Sequence, residues 1–383
     1  MKIVQVTTDT RDHYRTYNEP DPYFGTAPQA LLQAFAKIPE LQVHVVSCVR
    51  QPLPSPEKIG PNLWYHSLPV PRWGRILTGY QGCIRAVRRK LASIQPDLVH
   101  GQGTERDCAL AAVFSGFPNV ITLHGNMLDV ARVLHARPGS FHWFAARLET
   151  LALRRTGGVL CNSTFTEQLV HTRSRRHWRV PNPVREIFFT PPPKQSDRAK
   201  CVILNVGVVC DYKRQLDALD LARRLHQAGL PIEFRFLGTL PEGTGYAAQF
   251  RERIKLAEQE GYARFCGFKE AEPLRNEYDE AAALLHIPTT ESFGLVVAEA
   301  LARNLKLFAT RTGGLPDIAA GVRDAELFED GDWDGLFAAV TRWFRAGWPR
   351  SQTAADLMRS RYHPDVIARR HLEIYREVLS KDS

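Results

Sequence analysis

The chain has 383 residues, 44% hydrophobic and 24% charged, a globular composition long enough for two domains of ordinary size. Its formal charge of +9 is uneven: residues 1–190 carry 23 Lys and Arg against 13 Asp and Glu, and the remainder carries 27 against 28. No apolar run approaches the ~20 residues of a membrane span, MKIVQVTTDT lacks a signal core, and the seven cysteines are scattered without C-x-x-C, which argues against a membrane-spanning, secreted, disulfide-built or zinc-ribbon protein and for a reducing cytosol.

Met1 to Thr7 reads as a strand, Asp9 to Phe24 as a polar loop, Gly25 to about Lys37 as a helix and Val43 to Cys48 as the second strand. This is how a Rossmann-like domain opens, but G-x-G-x-x-G is missing, so dinucleotide binding is not the reading. Residues 51–70 are a Pro-rich loop with a short strand. Arg72 to Ile94 then sets Ile84, Val87 and Leu91 on one face beside Arg75, Arg85, Arg88, Arg89 and Lys90. Such a helix either covers the sheet or lies on a membrane surface, with Trp73, Ile76, Leu77 and Tyr80 alongside. The basic excess of the first half fits an anionic acceptor, an anionic membrane surface or simple solvation.

Pro96 to His100 and Asn119 to Leu123 are strands, placing His100 and His124 at the carboxyl edge of a sheet, where open α/β sheets bind ligands. Gly158 to Cys161 is another strand, and Asn162-Ser163-Thr164 caps the helix after it. Val180 to Val184 closes the first domain, and Pro191 to Ser196 is linker-like. Cys201 to Val206 is the first strand of the second domain, followed by Gly207, Lys213, Arg214 and a helix to His226. Pro231 to Leu237 is a strand ending at Gly238, Phe265 to Phe268 is a strand-to-loop crossing, and Leu274 to Glu280 is a short helix. Asp332-Trp333-Asp334 sits in an acidic loop before a helix and reads as a turn and helix start rather than a metal motif. Pro364 to Leu379 is the last helix.

The most informative stretch is HIPTTESFGLVVAEALARNLKLFATRTGGLPD, residues 286–317. Ala281 to Ile287 is a buried strand, Thr289 to Phe293 a loop with Ser292 as N-cap, Gly294 to Arg303 a helix, and Leu305 to Ala309 a strand closed by Gly313-Gly314. Glu291 precedes the helix and Glu299 lies in its second turn. Between them the first N–H groups, near Phe293, Gly294 and Leu295, lack internal partners and carry the positive end of the helix dipole, which suits a phosphate. Gly294 lets a ligand approach the backbone. A ligand with a diphosphate on the helix start and hydroxyls on both glutamates is a nucleotide sugar.

ESFGLVVAEA followed by TRTGGLPD resembles the E-x7-E signature of the retaining GT-B glycosyltransferases of family 4. The resemblance implies that Glu291 contacts donor-sugar hydroxyls and Glu299 the nucleotide ribose. It implies that T-L-H-G brings His124 toward the donor, that Lys213, in the loop after Gly207, holds the diphosphate, and that Gly25 belongs to the glycine-bearing loop of the first domain; Arg214 is a candidate to replace the family cation missing from that loop, and Gly238 is the next sheet-edge glycine. Departures are visible. Val208 stands where the family has Arg, Thr26 where it has a second Gly, Pro183 where it has Gly, and the segment from Pro288 to Glu291 is one residue short.

The expected fold is α/β, with two Rossmann-like domains facing across a cleft: residues 1–185 on the acceptor side, 198–362 on the nucleotide-sugar side, and a C-terminal helix, 363–383, crossing back to the first. The implied activity is retaining transfer of a sugar from a nucleotide-sugar donor to a hydroxyl of a sugar, glycolipid or polysaccharide acceptor. No metal, cofactor or nucleic acid is expected, and the place is the cytoplasm, including the inner membrane face. A phosphorylase or phosphosugar synthase of the same fold is the nearest alternative. A non-catalytic polyanion binder is a more distant one, because it leaves Glu291 and Glu299 without a role.

Overall fold

The computed structural model describes residues 1–191 and 200–381; the expected linker falls, beyond Pro191, outside the described residues. The chain divides into two compact units, Met1–Pro183 together with the segment from Pro364 onward, and Val184–His363. Each is a sheet flanked by helices, as the alternation of apolar strands and amphipathic helices requires.

In the first unit the strands are β1 (Lys2–Val6), β2 (Gln42–Val49), β3 (Lys58–Gly60), β4 (Leu63–Pro69), β5 (Leu98–Gln102), β6 (Asn119–Leu123), β7 (Val159–Cys161) and β8 (His177–Arg179). Their spatial order is β3-β4-β2-β1-β5-β6-β7-β8, parallel except where β3 meets β4. Helices α1 (Thr10–Tyr14), α2 (Thr26–Phe35), α3 (Gln81–Ile94), α4 (Cys108–Val113), α5 (Met127–Val133), α6 (Phe141–Arg155) and α7 (Thr164–Val170) connect them. The second unit orders its parallel strands β11-β10-β9-β12-β13-β14. These are β9 (Cys201–Val206), β10 (Ile232–Leu237), β11 (Ala263–Gly267), β12 (Ala283–His286), β13 (Lys306–Thr310) and β14 (Ala325–Phe328). Their helices are α8 (Gln215–Gln227), α9 (Gly245–Glu260), α10 (Ala271–Glu280), α11 (Leu295–Ala302), α12 (Leu315–Ala319), α13 (Trp333–Arg345) and α14 (Ala354–Tyr362). The last helix, α15 (Pro364–Lys381), packs in the first unit, where Ile367, Ile374, Tyr375 and Val378 join the core beneath β1 and β2.

Three details differ from the sequence reading. The polar loop after β1 contains α1. Asp9 caps it and binds the buried Arg11 through both carboxylate oxygens, while Arg11 Nη1 donates to the carbonyls of Glu19, Pro20 and Pro54. A buried charge needs this many partners, and they fold the loop around it. The helix expected from Arg72 begins only at Gln81, after two 3-10 turns at Arg72–Gly74 and Ile76–Thr78. Its apolar face, with Ile84, Val87 and Leu91, is buried in the core, so α3 covers the sheet. His100 lies inside β5 rather than at its edge; it is fully buried, with Nδ1 2.6 Å from Tyr375 Oη and Nε2 2.7 Å from Thr122 Oγ1. Among the described residues, no helix is long and apolar enough to cross a membrane.

Candidate functional site

Because the strands of the second unit are all parallel, every loop that follows one emerges at the same carboxyl edge. Gly207 and Gly238 end β9 and β10 there. A Cβ on Gly238 would lie 1.9 Å from the carbonyl oxygen of Gly207, so the two strand ends approach as only glycine allows. The loop after β9 is fixed by the buried Gln215, whose amide spans Val208 O and Cys210 N. It delivers Lys213 at the end of a 3-10 turn, and the amide of Thr289 donates to Tyr212 O at 2.8 Å, joining this loop to the one after β12.

Glu291 is the centre of that junction. Its Oε2 accepts from Lys213 Nζ at 2.5 Å and from His286 Nε2 at 3.0 Å. Burial alone would raise its pKa, but the bond from His286 and the charge of Lys213 outweigh it and hold the carboxyl at about 2. Its backbone is held as firmly: Gly314 N donates to Glu291 O at 2.9 Å, and a Cβ on Gly313, at φ +53°, would fall 1.7 Å from that oxygen. The Gly-Gly pair is therefore what lets the chain pass under Glu291.

The expected N-cap is corrected. Gly294, not Ser292, caps α11 at φ +101° with no side-chain bond to the first turn. A Cβ there would meet Leu315 Cδ2 at 2.6 Å, so the tight turn demands glycine and displaces the cap by two residues. Phe293 is buried, edge-on to Tyr362, and Leu295 packs at the core margin, so these two offer the site only backbone N–H groups. Glu299, 1% exposed, faces inward from α11; its Oε1 accepts from Arg185 Nε at 3.1 Å and Nη2 at 2.9 Å. Burial pushes its pKa up, and Arg185 and the Tyr278 hydroxyl pull against that.

Arg214 turns away from its neighbour Lys213. Its guanidinium pairs with Asp330 and lies 5.6 Å from the Trp333 ring centre, because a left-handed backbone at φ 57° ends the 3-10 turn and sends consecutive side chains different ways. The structure thus brings Lys213 and Glu291 together and directs Arg214 elsewhere. Arg185 and His286 are the site residues that sequence reading missed. His286 had a signal, as the strand-end residue five before Glu291, and Arg185 had none beyond its place after Val184.

In the first unit, His124 follows β6. Its Nε2 donates to Gln102 Oε1 at 2.9 Å, and burial lowers its pKa to about 4 against a bond with Asn182, so it is neutral at pH 7. Gln102 passes the bonding on to Gln5. Gly25 is the N-cap of α2 at φ +84°, with nothing within 4 Å of a Cβ placed there. In this unit Cys48, Cys83 and Asp107 bring their ligand-type atoms within 4.8 Å of one another, all buried.

The chain matches the sequence family described as "Glycosyl transferases group 1" over residues 187–356 and "Glycosyltransferase Family 4" over residues 29–186. It is 26% identical over 220 residues to a component of the human phosphatidylinositol N-acetylglucosaminyltransferase, covering 55% of this chain and 42% of that one. It is 22% identical over 247 residues to the GPI3 component of the Saccharomyces cerevisiae enzyme, covering 61% of this chain and 52% of that one. The chain therefore spans about half the length of the curated relatives it matches. Among solved structures, sucrose-phosphate synthase from Thermosynechococcus elongatus superposes with a TM-score of 0.79 at 17% identity over the whole of both chains. Anabaena HepE in complex with UDP superposes with a TM-score of 0.72 at 16% identity, covering 98% of this chain and 100% of that one.

Proposed function

Given that the chain belongs to the GT-B glycosyltransferases of family 4, we propose that it moves a sugar from a nucleotide-sugar donor to an acceptor hydroxyl with retention at the anomeric carbon. The observation that carries this reading is Glu291, held ionised by Lys213 and His286 beside the start of α11, with Glu299 eight residues on. Glu291, acceptor-only when ionised, takes donor-sugar hydroxyls. Glu299 takes a ribose hydroxyl on an oxygen that Arg185 leaves available. The leaving diphosphate lies on the first N–H groups of α11 and on Lys213, whose ammonium has three donors and can serve the phosphate as well as Glu291. Charge growing on the leaving oxygen is what these groups stabilise. The acceptor proton then passes to that oxygen on the same face, so no enzymic nucleophile and no metal is needed. The first unit faces the acceptor, with His124 neutral and oriented by Gln102.

The relatives named for phosphatidylinositol support a glycolipid acceptor, and HepE, described with UDP and UDP-glucose, supports a uridine diphosphate donor. The protein then works in glycolipid, lipopolysaccharide or polysaccharide synthesis at the cytoplasmic face of a membrane. A donor-hydrolysis screen across nucleotide sugars tests the reading, with orthophosphate as a separate arm. Turnover that requires free phosphate makes the protein a phosphorylase; NMR of the product reads retention directly.

A further inference from the structure

The proposed function places the acceptor in a membrane, and on that footing the first unit carries a surface suited to meet one. α6 has two apolar faces. Ala145, Ala146, Ala152 and Leu153 are buried against the unit. Phe141, Phe144 and Leu151, at i, i+3 and i+10, lie along a second stripe and face solvent, Phe141 and Phe144 each 45% exposed and Leu151 38%, while Leu148 between them packs on the core. α5 and its C-terminal end add Leu128, Val133 and Leu134, between 39% and 54% exposed. Solvated helices scatter such residues singly; three on one helix and three on the helix packed against it mark an interaction site.

Charge identifies the partner. Arg132, Arg137, Arg147, Arg154 and Arg155 are all exposed in the same segment. Its two acids offset only one of them at the surface. Glu149 is 1% exposed and bound to Arg173, and Asp129 lies 3.7 Å from Arg132. Leu128, Arg132, Trp143 and Arg147 also line a pocket of about 390 Å³ between α5 and α6, with the Arg147 guanidinium 4.1 Å from the Trp143 ring centre. Phenylalanine and leucine beside arginine, with an aromatic at the rim, is the composition of a surface that inserts shallowly among anionic headgroups. α3, the other basic helix of this unit, has its apolar face in the core and offers only charge.

We propose that the α5–α6 surface is a binding site for anionic phospholipid, through which the protein docks on the bilayer and meets its acceptor. The full chain is sedimented with vesicles of phosphatidylcholine alone and of phosphatidylcholine with phosphatidylglycerol. Wild type should partition onto the anionic vesicles and come off as salt rises past ~0.15 M, where the Debye length is ~8 Å. F141S/F144S/L151S should lower the partition coefficient by on the order of tenfold or more, with donor hydrolysis in solution unchanged. R132Q/R147Q/R154Q should do the same, whereas R85Q/R88Q/R89Q on α3, an equal charge change, should stay within about threefold. If the serine variant sediments like wild type, or both arginine sets lose equally, the site is elsewhere although the membrane reading stands. If wild type binds neither vesicle, the membrane reading itself fails. If wild type is instead a dimer that the serine variant dissociates, a second copy covers this surface and the lipid site is refuted.

Discussion

Replacing Lys213 with alanine removes two things at once. Lys213 Nζ lies 2.5 Å from Glu291 Oε2, and it is the cation that the proposed diphosphate contact requires in place of the family arginine lost at Val208. Glu291 is held near 2 rather than 4.5. At 1.36 kcal/mol per pKa unit, that is about 3 kcal/mol in favour of the ionised form, shared between His286 and Lys213. A charge-assisted phosphate contact is worth another ~1.5–3 kcal/mol, and leaving-group charge makes it larger in the transition state. We expect kcat/KM for Lys213→Ala to fall by about 10²-fold or more. The pH profile carries a second signature. A carboxyl whose pKa is depressed is ionised, and stabilising, above its unfolded value, and it loses that contribution only as pH falls toward the folded value. Without Lys213 the folded pKa moves back up, so the acid limb of kcat/KM shifts to higher pH. Steady-state kinetics with the best nucleotide sugar from pH 3.5 to 8 measures both effects. Lys213→Ala within about threefold of wild type, with Arg214→Ala collapsing instead, would refute the assignment of the phosphate cation.

Four further outcomes follow. Glu299→Gln should weaken binding of the nucleoside diphosphate by ~1.5–3 kcal/mol in calorimetry; wild-type affinity sinks the ribose role. Val208→Arg, at a position 46% exposed, should tighten the same binding by restoring the missing cation, and an unchanged isotherm argues against a phosphate beside that loop. Gly313→Ala should lower turnover by roughly tenfold or more, since its Cβ lands on Glu291 O at a positive φ, and normal turnover would mean that Glu291 does not need this backbone. Stability should fall on acidification. His124 and His371 sit at about 4, and His100 lies well below the ordinary 6.5. The folded state then binds fewer protons than the unfolded one, so stability is whole above about 6.5 and drains toward pH 4, at up to about 1.4 kcal/mol per histidine per pH unit. Equal urea midpoints at pH 7 and pH 5 would contradict this.

Strands β9, β10, β12 and β13 were legible because each is a short apolar run, whereas β14, half-buried and carrying Glu326, was not read; the glutamate pair was legible because both members and the flanking glycines lie within one local stretch. What escaped has a common cause: its partner is remote. Arg185 meets Glu299 across 114 residues, and Arg11 reads as one more charge in a polar loop until Pro54 and Tyr65, from distant segments, close around it and Asp9. Ser292 satisfied every local rule for an N-cap, and the turn geometry that overrules it is set by Leu315, on the next helix. The same blindness hid α6. Phenylalanine and leucine at helical spacing look alike whether they face a core or solvent, so the sequence drew attention to the arginines of α3 and not to the stripe that is left uncovered.

The two glutamates, eight residues apart, end in opposite electrostatic settings, and this bears on how one donor is held. Glu291 keeps its charge through two donors and a short loop, so it can only accept hydrogen bonds from whatever reaches it. Glu299 is pushed the other way by burial and is held against that push by a single guanidinium and a tyrosine hydroxyl. The helix between them fixes their separation but not their charge; the charge is set by Lys213 from the loop after β9, by His286 at the end of β12, and by Arg185 at the start of the unit. A variant with both glutamates intact is therefore expected to fail when Arg185 is lost. Arg185→Met leaves Glu299 buried without its cation, which costs about 3 kcal/mol if it stays ionised and converts it to a neutral acid if it does not. Either way nucleotide binding should weaken while Glu291, whose partners are untouched, keeps its acid limb in the pH profile. Should Arg185→Met bind nucleoside diphosphate as tightly as wild type, Glu299 does not act as an ionised carboxylate in this site.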